Sequence, residues 1–143
     1  MTNNQPFTIE RTYNAPIEKV WQAITDKEKM KQWYFDLAEF KPVEGFEFRF
    51  LAGEEDKKYL HVCIVTDVMP GKKLTYSWRY DGYPGNSFVT FELFEEEEKT
   101  RLRLTHVGLE SFAASNNPDF DKKNFENGWT QIIGTSLKEF LEK

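Results

Sequence analysis

The stretch DKKNFENGWTQIIGTSLKEFLEK, residues 121–143, decides the fold. Its apolar residues recur at steps of three and four and so form one stripe along a helix. That stripe consists of Phe125, Trp129, Ile132, Ile133, Leu137, Phe140 and Leu141. A helix of about twenty residues spans ~30 Å, the width of a small domain, so its stripe needs a large apolar surface to cover it. Gly128 and Gly134 interrupt the pattern, which indicates either close backbone packing or space left beside the helix.

Strand-like patterns earlier in the chain supply a surface large enough to cover that helix. They occupy the segments 6–13, 46–50, 59–68, 74–80, 87–94 and 100–107. Their short spacing and tight turns predict a meandering antiparallel sheet with one apolar, aromatic-rich face and one polar face. After the first strand, Pro16 and Asp26 are suited to begin two short helices. Residues 34–42 are ambiguous and could form a loop plus a short strand.

Together these elements predict an α+β fold in a single domain, residues 1–143. The antiparallel sheet should be strongly bent and wrapped around the long C-terminal α-helix, because only that helix is long enough to cover the apolar face. The two short helices after the first strand should close one end of the sheet.

Composition and charge argue against several classes of partner. The formal net charge is −5, whereas a nucleic-acid-binding domain normally presents a basic face. No apolar run approaches the ~20 residues that a membrane-spanning helix needs. The N-terminal residues lack the pattern of a signal peptide, and Cys63 is the single cysteine. Both features favour a cytoplasmic location.

Residues that could carry chemistry are few. His61 and His106 are the only histidines, and with Cys63 they do not make a credible metal site, so no metal and no cofactor are predicted. The sequence contains no nucleophile elbow, phosphate-binding glycine loop or dinucleotide fingerprint, and Cys63 is expected to be a buried, inert thiol. Arg11 shares the strand parity of Ile9 and could turn inward to hold a carboxylate. The face on which His61 lies stays open.

Several strings of the sequence together resemble one known family. IERTYNAPIEKVWQAITDKEKMKQWY (9–34) is similar to the opening of the SRPBCC superfamily, in the branch related to the activator of heat-shock protein 90 ATPase. Further matching strings are VEGFEFRF (43–50), VTDVMPGKKLTYSW (65–78), FVTFEL (88–93), TRLRLTHVGL (100–109) and GWTQIIGTSLKEFLE (128–142). This resemblance implies a helix-grip fold with a deep cavity between sheet and helix. It does not imply one activity, since members include lipid and hormone binders, cyclases and co-chaperone domains.

The predicted ligand site lies between the N-terminal half of the long helix and the apolar face of the sheet. Small-molecule sites are concave and mostly apolar, so the many aromatic residues fit either such a site or an ordinary core. The candidate residues are Trp33, Phe48, Tyr76, Trp78, Tyr80, Phe91, His106, Phe125, Trp129 and Ile133. Gly128 is expected to leave space beside Trp129, and residues 109–121 are expected to form a mobile lid.

Three functional hypotheses follow from these residues and from the resemblance. The leading one is non-catalytic binding of a hydrophobic or amphipathic small molecule, lipid-like or aromatic, in the cavity. The second is a co-chaperone-like domain that binds a chaperone or another protein through an exposed apolar patch. The third is an enzyme that uses His106 or a tyrosine as general acid or base. His106 shares the parity of Leu102 and Leu104, so it is either a hydrogen-bonded core residue or a polar anchor for the ligand.

Overall fold

The computed structural model describes residues 6–34, 37, 39–54, 57–115, 120 and 122–142. The predicted ends of the long helix, Asp121 and Lys143, and part of the predicted lid, residues 116–119, lie outside the described residues. Within this part of the chain the fold is α+β, as the sequence predicts. A bent antiparallel sheet holds one long C-terminal helix, and two short helices follow the first strand.

The sheet places the first two strands of the chain at its opposite edges. Its strands are β1 Phe7–Tyr13, β2 Glu47–Glu54, β3 Lys57–Met69, β4 Lys73–Tyr80, β5 Ser87–Glu96 and β6 Lys99–Val107. Their order is β1-β6-β5-β4-β3-β2, and every neighbouring pair is antiparallel. The register of β3 against β4 shifts between Val65 and Asp67, and such a bulge bends a sheet locally.

Two short helices connect β1 to β2. They are α1 Ile17–Thr25 and α2 Lys27–Trp33. The Asp26 side chain accepts a hydrogen bond from the Glu28 backbone and so caps α2, as its position in the sequence predicts. The Trp33 indole donates to the Ala23 carbonyl at 2.8 Å, which ties the end of α2 to α1.

The long C-terminal helix contains a wide turn that the sequence did not predict. It consists of α3 Lys122–Gln131, a π-helical turn Ile132–Ser136 and α4 Leu137–Glu142. The Tyr13 hydroxyl of β1 donates to the Ile133 carbonyl at 2.5 Å, so a carbonyl in the turn has a partner outside the helix. A Cβ at Gly134 would lie 3.5 Å from Nε of Arg11. The turn therefore forms where side chains of β1 reach the helix backbone.

The predicted apolar stripe of this helix is the face that meets the sheet. Phe125, Trp129, Ile133, Leu137 and Leu141 are all buried, and Ile132 and Phe140 are partly buried against the same core. A 3₁₀ helix, Leu109–Ser115, comes between β6 and α3. Its Leu109 and Phe112 are buried as well, so the core extends beneath this segment.

Candidate functional site

All ten predicted site residues are buried, and most of them meet in one aromatic cluster between β4, β6 and α3. The ring of Trp129 lies 5.6 Å from that of Trp78 and 6.2 Å from that of Phe91, measured between ring centroids. His106 lies 5.3 Å from Phe125. Phe48 and Tyr76 form a neighbouring contact at 5.1 Å. The α3 wall and the sheet wall of the predicted site are therefore in direct contact through aromatic rings.

Two of the predicted residues lie at the border of this cluster. Trp33 packs on Tyr34 at 5.0 Å and its indole bonds to α1. Ile133 is fully buried at the π-turn, where its carbonyl accepts from Tyr13. Whether any of the ten contacts a ligand remains a prediction.

His106 is the centre of a buried hydrogen-bond chain that links α3 to the sheet. The indole Nε1–H of Trp129 donates to Nδ1 of His106 at 3.0 Å. Because an indole can only donate, Nδ1 carries no proton and the neutral ring is protonated on Nε2. Nε2 then donates to the Ser87 hydroxyl at 2.8 Å, and Ser87 donates to the carbonyl of Trp78 at 2.8 Å. Both ring nitrogens are engaged, so in this arrangement neither is available to a substrate.

Burial also keeps the imidazole rings uncharged. It lowers the pKa of His106 to about 3, far below the ordinary value of a histidine. His61, whose face the sequence left open, points into the core between Phe50 and Trp78, with its ring centroid 4.5 Å and 5.0 Å from theirs. Burial lowers its pKa to about 4. Both histidines are therefore neutral near pH 7.

Phenol groups supply further polar atoms inside the site. The hydroxyls of Tyr34 and Tyr76 lie 2.7 Å apart, and the Trp78 indole donates to the Tyr80 hydroxyl at 3.0 Å. Burial raises the pKa values of Tyr34, Tyr76 and Tyr80, so these hydroxyls stay protonated. Burial likewise raises the pKa of the Cys63 thiol, which leaves it in its unreactive form.

The segment predicted as a lid closes this end of the cluster with aromatic rings. Phe112 stacks on Phe125 at 5.7 Å, and Phe120 stacks on Tyr80 at 4.1 Å. The hydroxyl of Ser111 accepts from the backbone N–H of Asn86, in the loop between β4 and β5. The described part of the segment is therefore joined to both the sheet and α3.

Two expectations about the surroundings of the site need correction. Gly128 was expected to leave space beside Trp129, but it is exposed, and a Cβ there would meet nothing within 4 Å. Successive helical residues are about 100° apart, so the neighbour of an inward tryptophan faces away from the sheet. Arg11 was considered as an inward anchor for a carboxylate. It lies on the helix side of edge strand β1, near Gly134, but it is exposed.

Sequence reasoning missed Tyr34, which belongs to the segment that it left ambiguous. The tyrosine ring lies 6.1 Å from Trp129 and 6.3 Å from Phe50, inside the cluster. The one available signal was the aromatic pair Trp33–Tyr34 directly after an amphipathic helix.

A family model, that of the Activator of Hsp90 ATPase homolog 1-like protein, matches residues 14–142 of the chain. The chain belongs to this family. The match spans α1 through α4, so the predicted resemblance is confirmed over nearly the whole described fold. No match was found among curated proteins.

Solved structures of bacterial proteins share this fold. Protein MLL2253 from Mesorhizobium loti superposes with a TM-score of 0.79 at 26% identity, covering 96% of this chain and 97% of that one. Protein BH1534 from Bacillus halodurans gives a TM-score of 0.74 at 28% identity, with coverage of 99% and 100%. Protein CV1439 from Chromobacterium violaceum gives 0.80 at 22% identity, with coverage of 99% for both chains. These similarities place the chain in the family's helix-grip architecture.

No helix in the described part of this family member has the length and apolar character needed to cross a membrane. An open groove of about 450 Å³ runs along the solvent side of the π-turn and α4, beside Gly134, Lys138 and Glu142. It lies on the side of the helix that faces away from the aromatic cluster, so it is not the predicted site.

Proposed function

We propose that the protein binds a hydrophobic or amphipathic small molecule, lipid-like or aromatic, between the concave face of the sheet and α3, without catalysing a reaction. The observation that supports this most directly is the chemistry of the region between them. Its lining is aromatic rings, and its polar atoms include the neutral hydroxyls of Tyr34, Tyr76 and Tyr80. A few neutral polar groups in an apolar setting orient a ligand without demanding a charge from it.

Binding near Phe125 requires movement of the predicted lid, residues 109–121, which we call the closing segment. Phe112 and Phe120 fill the space beside Tyr80 and Phe125, so a ligand at this end must displace at least one of these two rings. The described residues of the segment between β6 and α3 contain no sheet strand, so these rings can leave while the sheet and α3 stay in place. This is the least costly opening of the cluster, because loops change conformation more easily than the elements they connect.

The first experiment looks for the ligand directly. Mass spectrometry of the protein purified under native conditions should reveal a co-purified lipid or aromatic compound. In parallel, fatty acids, sterols, flavonoids and indoles are screened by thermal shift and by the fluorescence of the buried Trp78 and Trp129. A ligand at a hundredfold excess over its Kd should stabilise the fold by about 2.7 kcal/mol. If no compound of a broad apolar library changes either signal, the proposal fails.

Variants of the closing segment locate the site. Phe112→Ala removes a ring from the segment and should raise ligand affinity if the compound binds beside Phe125. Phe88→Ala removes the same side chain from the outer face of β5, where it is 39% exposed, and is the matched control. Equal affinity in both variants would show that a bound ligand does not use the end of the cluster that Phe112 closes.

A second candidate function is a protein-interaction domain, which one feature of the outer face favours. Phe88 pairs with Val107 in the sheet register, and Phe88 also pairs with Ser77, whose hydroxyl accepts from the Ile64 backbone. Ile64, Phe88 and Val107, on β3, β5 and β6, are 37–39% exposed and form, with Ser77 of β4 between them, a largely apolar row on the side away from α3. Exposed apolar patches commonly mark interaction sites.

The family description suggests a chaperone ATPase of the Hsp90 class as the partner to test. The protein should then raise the ATPase rate of that chaperone, and Ile64→Ser with Phe88→Ser should abolish the effect. Thr105→Ser on the same face is the control. An unchanged ATPase rate at high micromolar protein counts against this candidate. A cytoplasmic location belongs to both proposals, and fractionation of the producing cells tests it.

A further inference from the structure

The ring of Tyr34 occupies an unusual position at the meeting point of the helix and the sheet. Its plane is within 18° of parallel to that of Trp129 on α3, with 6.1 Å between the centroids. On the sheet side it lies 6.3 Å from Phe50 of β2. Its hydroxyl reaches the hydroxyl of Tyr76, in the middle of β4, at 2.7 Å. The phenol of Tyr34 thus contacts the helix wall of the site, the sheet wall and the buried hydroxyl of Tyr76.

Tyr34 differs from the residues around it in how it is held. Trp129, Phe50 and Tyr76 belong to α3, β2 and β4, and their positions are set by the helix and by the sheet ladders. Tyr34 is the C-cap of α2, held there by its backbone N–H, and its ring stacks on Trp33 but is only half-buried, whereas those three are buried. Of the four rings, Tyr34 is therefore the one that can leave without disturbing a helix or a strand.

Removing the Tyr34 ring from this position would leave a slot with a defined chemistry. Trp129 would form one wall and Phe50 the other, and the Tyr76 hydroxyl would stand at the base. Stacking on an indole favours a planar aromatic ring over a saturated chain. The hydroxyl of Tyr76 is fully buried and would lose its hydrogen-bond partner, so an occupant has to offer a hydrogen-bonding group at the same point.

We propose that the Tyr34 side chain occupies the binding position of the ligand. This ligand is a planar phenol whose ring replaces that of Tyr34 between Trp129 and Phe50. The ligand hydroxyl then takes over the hydrogen bond to Tyr76. This inference rests on the proposed small-molecule binding and names the ligand class and the displaced residue. The side chain of Tyr34 is then an internal competitor of the ligand.

The electrostatics of the slot select a neutral hydroxyl over a charged group. The neighbours of the Tyr76 hydroxyl are the Tyr34 hydroxyl and the Cys63 thiol, both kept protonated because burial raises their pKa values. No charged side chain of the described residues is buried in the core to balance a carboxylate or an ammonium group. Burying an unpaired charge is far more costly than burying a hydrogen-bonded hydroxyl. The slot therefore disfavours ligands that carry a carboxylate or an ammonium group.

The test uses p-cresol, which has the structure of a tyrosine side chain. Isothermal titration measures its affinity for the wild-type protein and for Tyr34→Ala. A minor open state is typically populated at 0.1–10%, and apparent affinity is reduced by that fraction. Truncating the Tyr34 side chain should therefore tighten the binding of p-cresol by roughly 10- to 1,000-fold. In Tyr34→Phe the ring remains but its hydrogen bond to Tyr76 is lost, so p-cresol should bind more tightly than to the wild type and less tightly than to Tyr34→Ala.

A second variant tests the base of the slot. Tyr34→Ala should prefer p-cresol to toluene, because only p-cresol restores the hydrogen bond to Tyr76. In Tyr34→Ala combined with Tyr76→Phe that preference should disappear. If the double variant retains it, Tyr76 is not the partner and the proposal is wrong. Circular dichroism confirms that each variant is folded.

A measurement on the wild-type protein keeps the proposal testable if Tyr34→Ala does not fold. With p-cresol bound, nuclear Overhauser contacts between Tyr34 and Trp129 should be lost and replaced by contacts from p-cresol to Trp129. Retained Tyr34–Trp129 contacts in the bound state overturn the proposal. So does a wild-type protein that binds no p-cresol while Tyr34→Ala does, because the slot would then be only a cavity created by truncation.

A saturated fatty acid, laurate, separates this inference from the proposed function. If laurate binds the wild type and Tyr34→Ala with equal affinity and p-cresol binds neither, small-molecule binding stands and the phenol slot is wrong. If neither compound binds either form, the slot is wrong and the library screen decides the broader proposal.

Discussion

The two buried histidines make the stability of this protein depend on pH in a specific way. In the native state burial holds the pKa of His106 at about 3 and that of His61 at about 4, whereas an unfolded histidine titrates near 6.5. Between about pH 4 and pH 6.5 the unfolded state binds two protons that the native state does not. Stability is therefore fully present above pH 6.5 and is lost as the pH falls below it.

The loss of stability is steep because two groups titrate together. Each proton bound only by the unfolded state contributes about 1.4 kcal/mol per pH unit, so two histidines together give about 2.7 kcal/mol per unit. At pH 5, which is 1.5 units below the unfolded value, each histidine accounts for about 2 kcal/mol of lost stability. Acidic side chains also titrate as the pH falls further, so the useful window is about pH 5 to 6.

The assay is urea denaturation at several pH values, with the wild type compared with His106→Gln. A glutamine can accept from Trp129 and donate to Ser87, so it retains the hydrogen-bond chain without a group that titrates in this window. The variant should lower the slope by about 1.4 kcal/mol per pH unit, and His61→Gln should do the same independently. All other groups cancel in the difference. Equal slopes for wild type and His106→Gln would refute the reasoning, as would an NMR titration of His106 near pH 6.5.

Three further predictions concern packing and charge. Leu137→Ala, at a fully buried position of α4, should lower the free energy of unfolding by ~2–5 kcal/mol in chemical denaturation. Exposed Glu139→Ala should change it by less than ~0.5 kcal/mol, and similar losses for both would show that α4 does not cover the sheet. Gly85→Ala should lower the melting temperature more than Gly82→Ala: both backbones have positive φ, but only at Gly85 would the new Cβ approach Phe112, to 2.6 Å. With a net charge of −5, the protein should not retain a labelled oligonucleotide at physiological salt, and salt-sensitive retention would contradict this.

The closing segment shows why the sequence could predict the elements around the candidate site but not the contacts between them. Residues 109–121 were recognised as turn-rich, and a covering role followed from their position before the helix. The contacts of Phe112 with Tyr80 and Phe125 join residues from different elements, and no local pattern encodes such a meeting. The same holds for Tyr34, whose partners lie 42 and 95 positions further along the chain, at Tyr76 and Trp129.

The sequence by itself determined the elements and the direction of their side chains. The three- and four-residue steps of the stripe through Trp129 and Leu137 fixed which helix face is buried, and strand parity turned His106 inward. These patterns are local, since a helix repeats every 3.6 residues and a strand every two. Only the tertiary structure decided the π-turn at Gly134, the hydrogen bonds of His106 and the place of Tyr34 in the site. Each depends on groups that meet only when the sheet bends around the helix: Tyr13 reaching Ile133, Trp129 reaching His106, and Tyr34 reaching Tyr76.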